Sequence, residues 1–134
     1  MGYSFSLIPG RHDVVRDGCN LTGHEMMYVR MILIEAGAIE DDKYMSPVSP
    51  KPGLERTPET FPASMFESND GQYVDAERAA FVARRLRRAV ELGVVSDMLS
   101  FLDDAPETEY VRAWVEEFAE FNELAARYGG YTVR

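Results

Sequence analysis

The sequence predicts a mainly α domain of the α+β class, with about four helices and a small β element that pairs the N- and C-terminal segments. Apolar residues recur at helical spacing in long stretches between residues 22 and 128, and helix-start signals precede them. Short β-prone runs stand near both ends of the chain. The 134 residues, of which 46% are hydrophobic, suit one domain, 1–134, that buries its own core.

The first predicted element is a strand from Tyr3 to Ile8, where aromatic or aliphatic residues alternate with serines. Thr22-Gly23-His24-Glu25 then has the form of a capping box, in which a hydroxyl and a carboxylate satisfy backbone amides at a helix start. The helix that follows runs to Ala36 and is apolar almost all round, so we expect it to be covered on more than one side. Arg30 is the exception, and we expect its stem to lie on apolar surface.

Residues 40–72 are predicted to be irregular, because five of the seven prolines fall there and exclude a long helix or a central strand. A stretch this long without regular structure is usually functional or mobile. We predict a wrap over the core, and a flexible loop with no role is the alternative. The apolar residues that could anchor the wrap are Leu54, Phe61, Met65 and Phe66.

The second predicted helix spans residues 76–92, with Asp75 as its cap and Gly93 at its end. One face has the apolar spacing of a core contact. Another face mixes an aromatic and a leucine with two arginines, and it needs cover, either within the chain or at a homodimer seam. This stripe consists of Phe81, Arg85, Arg88 and Leu92.

A short helix is predicted over residues 96–102, and Asp104-Ala105-Pro106-Glu107 combines a capping aspartate, a first-turn proline and a box-closing glutamate. The last helix should run to about Tyr128 and end at Gly129-Gly130. A strand at Tyr131 to Val133 could then pair with the N-terminal strand. Opposite its apolar face, the last helix carries Glu109, Glu116, Glu120 and Glu123.

Charge is divided unevenly between these helices. Five arginines lie on the second helix, whereas nine acids between Asp97 and Glu123 face a single base, Arg112. The chain as a whole carries a formal charge of −9, so its field repels phosphate and argues against nucleic acid and anionic membranes as partners. We expect the arginines to be neutralised within the protein or its dimer, which leaves the acidic face to meet a protein with a basic surface.

Three stretches together resemble a known group of proteins: Asn20-Leu21-Thr22 before the first helix, Ser68-Asn69-Asp70-Gly71 before the second, and Gly129-Gly130-Tyr131 at the end. They resemble small, uncharacterised bacterial and phage proteins that have a Ser-Asn-Asp-Gly signature and a Gly-Gly-aromatic finish. The resemblance implies one small domain and no particular activity. Physically, the signature is a strong turn, because Asn and Asp side chains bond to nearby backbone and glycine accepts positive φ.

His12, Cys19 and His24 lie within thirteen residues and are the ligand types that zinc prefers. They support an alternative in which the chain is a metal-binding protein or a small metal-dependent enzyme. The spacing H-x6-C-x4-H matches no established zinc pattern, and the single cysteine excludes an internal disulfide. The common nucleotide and hydrolase motifs are absent from the sequence.

These observations favour a non-enzymatic acidic interaction protein that needs no cofactor, a regulator or inhibitor that binds another protein, with bacterial or phage conflict as one setting. The N-terminus lacks the pattern of a signal peptide. The most apolar stretch, Met26 to Ile34, is far shorter than the roughly 20 residues that span a bilayer. We therefore expect a cytoplasmic protein without a membrane partner.

Overall fold

The computed structural model of the chain describes residues 2–7, 18–44, 51–66 and 72–133. Within these ranges it contains four α-helices, a four-stranded sheet and a two-stranded sheet, so the α+β class is confirmed. In chain order the elements are β1 (Gly2–Leu7), β2 (Gly18–Thr22), α1 (Gly23–Glu35), β3 (Ile39–Glu40), β4 (Phe61–Pro62), a 3-10 helix (Ala63–Phe66), β5 (Gln72–Val74), α2 (Ala76–Glu91), α3 (Val94–Leu99), α4 (Thr108–Arg127) and β6 (Tyr131–Val133).

The larger sheet has the order β2-β1-β6-β5, and all its pairs are antiparallel. The N-terminal strand pairs with the C-terminal strand, with Phe5 opposite Val133 and Leu7 opposite Tyr131. Strand β2 is not among the predicted elements. Its alternation is nevertheless present in the sequence, since Cys19 and Leu21, which are buried, alternate with the polar and exposed Asn20 and Thr22.

Helix α4 packs across the inner face of this sheet through aromatic rings. The Phe5 ring lies 4.8 Å from the Phe118 ring, and the Tyr131 ring lies 5.1 Å from the Phe121 ring, measured between centroids. Tilted and edge-on pairs of this kind add to the stabilisation that burial provides. The apolar stripe of α4 is therefore directed at the paired terminal strands, and its opposite side is turned outward.

Helix α1 begins with the predicted capping box, which is confirmed. The Thr22 hydroxyl accepts a hydrogen bond from the Glu25 amide at 3.1 Å, and the Glu25 carboxylate accepts one from the Thr22 amide at 2.9 Å. Most of α1 is buried, as the prediction of cover on more than one side requires, and the exposed side of the helix carries Met27, which is 41% exposed. The Arg30 guanidinium donates to the Phe66 carbonyl at 2.6 Å and lies over the Tyr3 ring.

Residues 51–66, the longest described part of the proline-rich stretch, pack on the core. Leu54, Phe61 and Phe66 are buried, and β4 pairs with β3 in parallel, with Phe61 opposite Ile39. Buried apolar side chains thus hold this part of the wrap on the core, and its regular structure is limited to the short β4 and the 3-10 helix. The Ser-Asn-Asp-Gly turn at residues 68–71 lies outside the described residues.

Two helix starts differ from the prediction. Helix α3 begins at Val94, directly after Gly93, and not at residue 96. Helix α4 begins at Thr108 with Glu107 in the capping position and no side-chain capping bond, so the predicted cap at Asp104 is wrong. Asp104 instead takes a positive φ of 55°, which an aspartate tolerates better than most residues and which turns the chain before the helix.

Candidate functional site

The outer side of α4 carries the acids that the sequence singles out. Because Val111, Val115 and Phe118 are buried, the helical period turns the acids away from the sheet. Glu109 and Glu120 are exposed, and Glu116 and Glu123 are half-buried next to α2. The four acids therefore share a side of the helix but do not share one environment.

Glu123 is bound within the chain. Arg87 of α2 donates to its carboxylate through Nη2 at 2.8 Å and through Nε at 3.2 Å. These hydrogen bonds hold the pKa of Glu123 below its ordinary value, and the charges of Arg87 and Arg127 act in the same direction against desolvation. The pKa of Arg87 is raised by the same bonds, and the charges of Glu123, Glu116 and Glu120 add to the effect. Glu123 therefore joins α4 to α2.

The acids at the start of α4 have a different environment. Asp103, Asp104, Glu107 and Glu109 are exposed, and within the described residues their side chains make no hydrogen bond or ion pair. Two aromatic residues bracket them in the chain: Phe101 is 62% exposed and Tyr110 is 60% exposed, the highest values among large apolar residues of the described ranges. We call these six residues, Phe101, Asp103, Asp104, Glu107, Glu109 and Tyr110, the acidic corner.

The two aromatics of the acidic corner were not predicted from the sequence. Both fall outside the apolar periodicity of the helices beside them: Phe101 follows the end of α3, and Tyr110 lies beside the buried position Val111. An aromatic residue outside the apolar stripe of its helix is the signal that could have revealed them.

The arginines of α2 lie against acids and carbonyls of the same chain. Arg85 donates to the Glu55 carbonyl at 2.8 Å and to the Ala36 carbonyl at 3.4 Å, and its guanidinium lies 5.0 Å from the centre of the Phe81 ring. Phe81 itself is 3% exposed. Two members of the stripe Phe81, Arg85, Arg88 and Leu92 thus have cover within the chain, and the homodimer seam stays a prediction.

The predicted metal ligands are placed only in part. Cys19 is buried on β2, and the exposed His24 ring stacks edge-on against Tyr28 at 5.2 Å and Trp114 at 6.3 Å. His12 lies outside the described residues, so the trio stays a prediction. Among the residues that the structure does describe, no three His, Cys, Asp or Glu side chains converge on a point where a metal ion could bind.

No helix in the described ranges has the length and apolar character needed to cross a bilayer. Two surfaces of the described residues have a clear chemical character: the acidic corner, and the side of α2 that carries the arginines.

Searches of protein-family models, of curated proteins and of solved structures give no match to this chain.

Proposed function

We propose that this chain is a non-enzymatic, cytoplasmic interaction protein that binds a basic protein surface, as a regulator or an inhibitor. The observation that carries the proposal is the acidic corner, where four exposed carboxylates without a partner among the described residues accompany two exposed aromatic side chains. The exposed acid Glu120 extends the same charge along α4.

The contrast with other acids supports this proposal. Glu40 lies 3.5 Å from Arg56, Glu59 lies 3.7 Å from Arg84, and Asp97 lies 3.0 Å from Lys51. Those carboxylates form an ion pair, whereas those of the acidic corner form none with a described residue. A cluster of one sign with no counter-charge steers a partner of the opposite sign and suppresses partners of the same sign.

The two aromatics can supply binding free energy that exposed charges alone do not. Exposed carboxylates orient a partner but contribute little binding free energy each, whereas aromatic side chains are frequent energetic centres of interfaces. A guanidinium can stack on an aromatic ring while it bonds to a neighbouring carboxylate. The acidic corner therefore suits a partner whose surface presents arginines.

The test is a quantitative pull-down with a charge-reversed variant. Asp103, Asp104, Glu107 and Glu109 are changed together to lysine, and the proteins captured from one lysate are compared with those captured by the unchanged chain. We expect basic proteins to dominate the set that is lost, with captured amounts falling by at least about tenfold, since several charge contacts are reversed at once. Glu123 is left intact, because its reversal would also break the contact with Arg87.

The matched control reverses acids that already have a counter-charge. A variant with Glu40, Glu59, Glu91 and Asp97 changed to lysine alters total charge by the same amount but leaves the acidic corner intact, and it should capture the same proteins as the unchanged chain. Circular dichroism confirms that each variant is folded. Unchanged capture by the acidic-corner variant, or equal loss in the control, would contradict the proposal.

A further inference from the structure

A groove runs along the outer seam between α2 and α4, away from the acidic corner. Its volume is about 480 Å³, within the range of about 300–1,000 Å³ that is usual for small-molecule sites. Ala80 and Ala83 of α2 and Ala126 of α4 line it, and their short side chains leave the recess that larger residues would fill. Three arginines and two glutamates form its rim: Arg84, Arg87, Arg88, Glu91 and Glu123.

The three arginines of the rim differ in how they are engaged. Arg87 is held by two hydrogen bonds to Glu123, which makes this pair a fixed wall of the groove. Arg84 and Arg88 meet acids only at longer range, with 3.7 Å from Arg84 to Glu59 and 3.6 Å from Arg88 to Glu91. Neither of these two guanidiniums makes a hydrogen bond to a residue that the structure describes, and both are exposed.

Arg84 and Arg88 are four residues apart, so both guanidiniums extend from the same side of α2. Each presents a planar set of donors that matches a carboxylate. Exposed ion pairs at such distances are weak and easily exchanged, so an incoming anion can replace Glu59 and Glu91 as their partner. The rim holds three positive charges against two negative ones, so one negative charge on a ligand neutralises it, whereas a second would lose hydration without gaining a counter-charge.

We propose that this groove binds a small organic monoanion, a carboxylate attached to a compact apolar body. The carboxylate accepts hydrogen bonds from Arg84 and Arg88, and the apolar body lies on Ala80, Ala83 and Ala126. This ligand site is independent of the acidic corner, because neither surface uses a residue of the other. Failure of one proposal therefore leaves the other standing.

The probes are 1-naphthaleneacetate and its neutral counterpart, 1-naphthaleneacetamide, titrated into the full chain and followed by two-dimensional NMR of the backbone amides. We expect the acid to shift the amide signals of Ala80, Ala83 and Ala126 with a Kd of roughly 0.1–1 mM, a normal affinity for a ligand of this size. 1-Naphthaleneacetamide should bind at least about tenfold more weakly, because it lacks the charge that the arginines recognise.

Two variants test separately the charge of the rim and the open volume of the groove. Changing Arg84 and Arg88 together to glutamine should weaken binding of the acid at least about tenfold, and Ala126→Leu should abolish it by filling the groove. Changing Arg56 and Arg112 together to glutamine is the matched control, since both are exposed arginines that do not line the groove. If Ala126→Leu fails to fold, the arginine variant alone still tests the proposal, because it changes only exposed side chains.

Three results would overturn the proposal. The first is the absence of shifts at the groove with about 10 mM acid, well above the expected Kd. The second is equal binding of acid and amide, or of the unchanged chain and the Arg84/Arg88 variant. The third is movement of the same signals when protein concentration alone is raised, which would assign the groove to a second copy of the chain.

Discussion

Asn122 is the buried polar residue of the described core, and it connects α4 to β6. Its Nδ2 donates to the Phe118 carbonyl at 2.8 Å, and its Oδ1 accepts from the Tyr131 hydroxyl at 2.8 Å. Burial raises the pKa of Tyr131 well above its ordinary value, so the phenol stays protonated and keeps donating. Buried polar groups are costly unless they are paired, and here each satisfies the other.

Removal of either partner should therefore destabilise the fold. We expect Asn122→Ala to lower the free energy of unfolding by about 1–3 kcal/mol, because it leaves the Tyr131 hydroxyl buried without an acceptor. Tyr131→Phe should have a similar but smaller effect. Urea denaturation followed by circular dichroism measures both.

The double variant Asn122→Leu/Tyr131→Phe provides the control, since it removes both polar partners and keeps the core volume similar. It should be more stable than the summed losses of Asn122→Leu and Tyr131→Phe, each measured alone, predict, because no unpaired polar group is left behind. Strictly additive losses would show that the two side chains do not act as a pair.

Helices α2 and α4 are joined by the Arg87 and Glu123 pair, whose contribution depends on pH. The pKa of Glu123 is lowered from its ordinary value of 4.5 in the folded state. The stabilisation is therefore present above that value and is lost as the pH falls through the lower, folded pKa. Both side chains are about 40% exposed, at 39% and 41%, so solvent screens the pair.

We expect Glu123→Gln to lower the free energy of unfolding by less than about 1 kcal/mol at neutral pH, which is normal for a partly exposed pair. Below pH 4.5 the difference between the variant and the unchanged chain should shrink towards zero. Urea denaturation from pH 3 to pH 7 measures it. Glu109→Gln is the control, because Glu109 has no partner in the described residues, and an equal pH trend in that variant would refute the assignment.

The junction between α4 and β6 depends on Gly130. This residue has a φ of 101°, and a Cβ atom placed there would collide with the carbonyl oxygen of Val74 on the neighbouring strand. Gly93, between α2 and α3, also has a positive φ, 76°, but a Cβ atom there would meet nothing within 4 Å. A substitution at Gly93 therefore tests the backbone conformation alone, whereas one at Gly130 tests the conformation and a steric collision together.

Gly130→Ala should destabilise the protein by more than about 3 kcal/mol or prevent its folding, since it adds a backbone collision to an unfavourable φ. Gly93→Ala should cost only about 1–2 kcal/mol, the strain of the left-handed conformation alone. Thermal unfolding of both variants gives the comparison. Equal losses would mean that β5 moves to accept the added methyl group at residue 130.

At the scale of the whole molecule, the positive charges of α2 are largely paired with acids of the same chain. Arginines of α2 lie against acids of the wrap, of α4 and of α2 itself, whereas the acidic corner has no such partner among the described residues. The partner binding that we propose is therefore electrostatic in large part, and it should weaken as ionic strength rises and the Debye length falls below about 10 Å. A salt series in the pull-down shows this directly.

Local features of this chain could be predicted well. The capping box at Thr22 and Glu25, the core faces of α2 and α4, and the strand character of both ends follow from residues within a few positions of one another. Such features depend on backbone capping and on helical or strand periodicity, which the local sequence carries. The missed strand β2 and the wrong cap at Asp104 show that element boundaries depend on more than these signals.

The sequence by itself determined that the protein has an arginine-rich helix and an acidic one, with apolar faces that must meet. Only the tertiary structure decided that Arg87 pairs with Glu123, 36 residues away, that Asn122 bonds to Tyr131, and that the carboxylates of the acidic corner form no hydrogen bond or ion pair with a described residue. The physical reason is that these pairings depend on how helices pack across the sheet. Packing brings distant residues within hydrogen-bonding distance, and no local pattern encodes which ones.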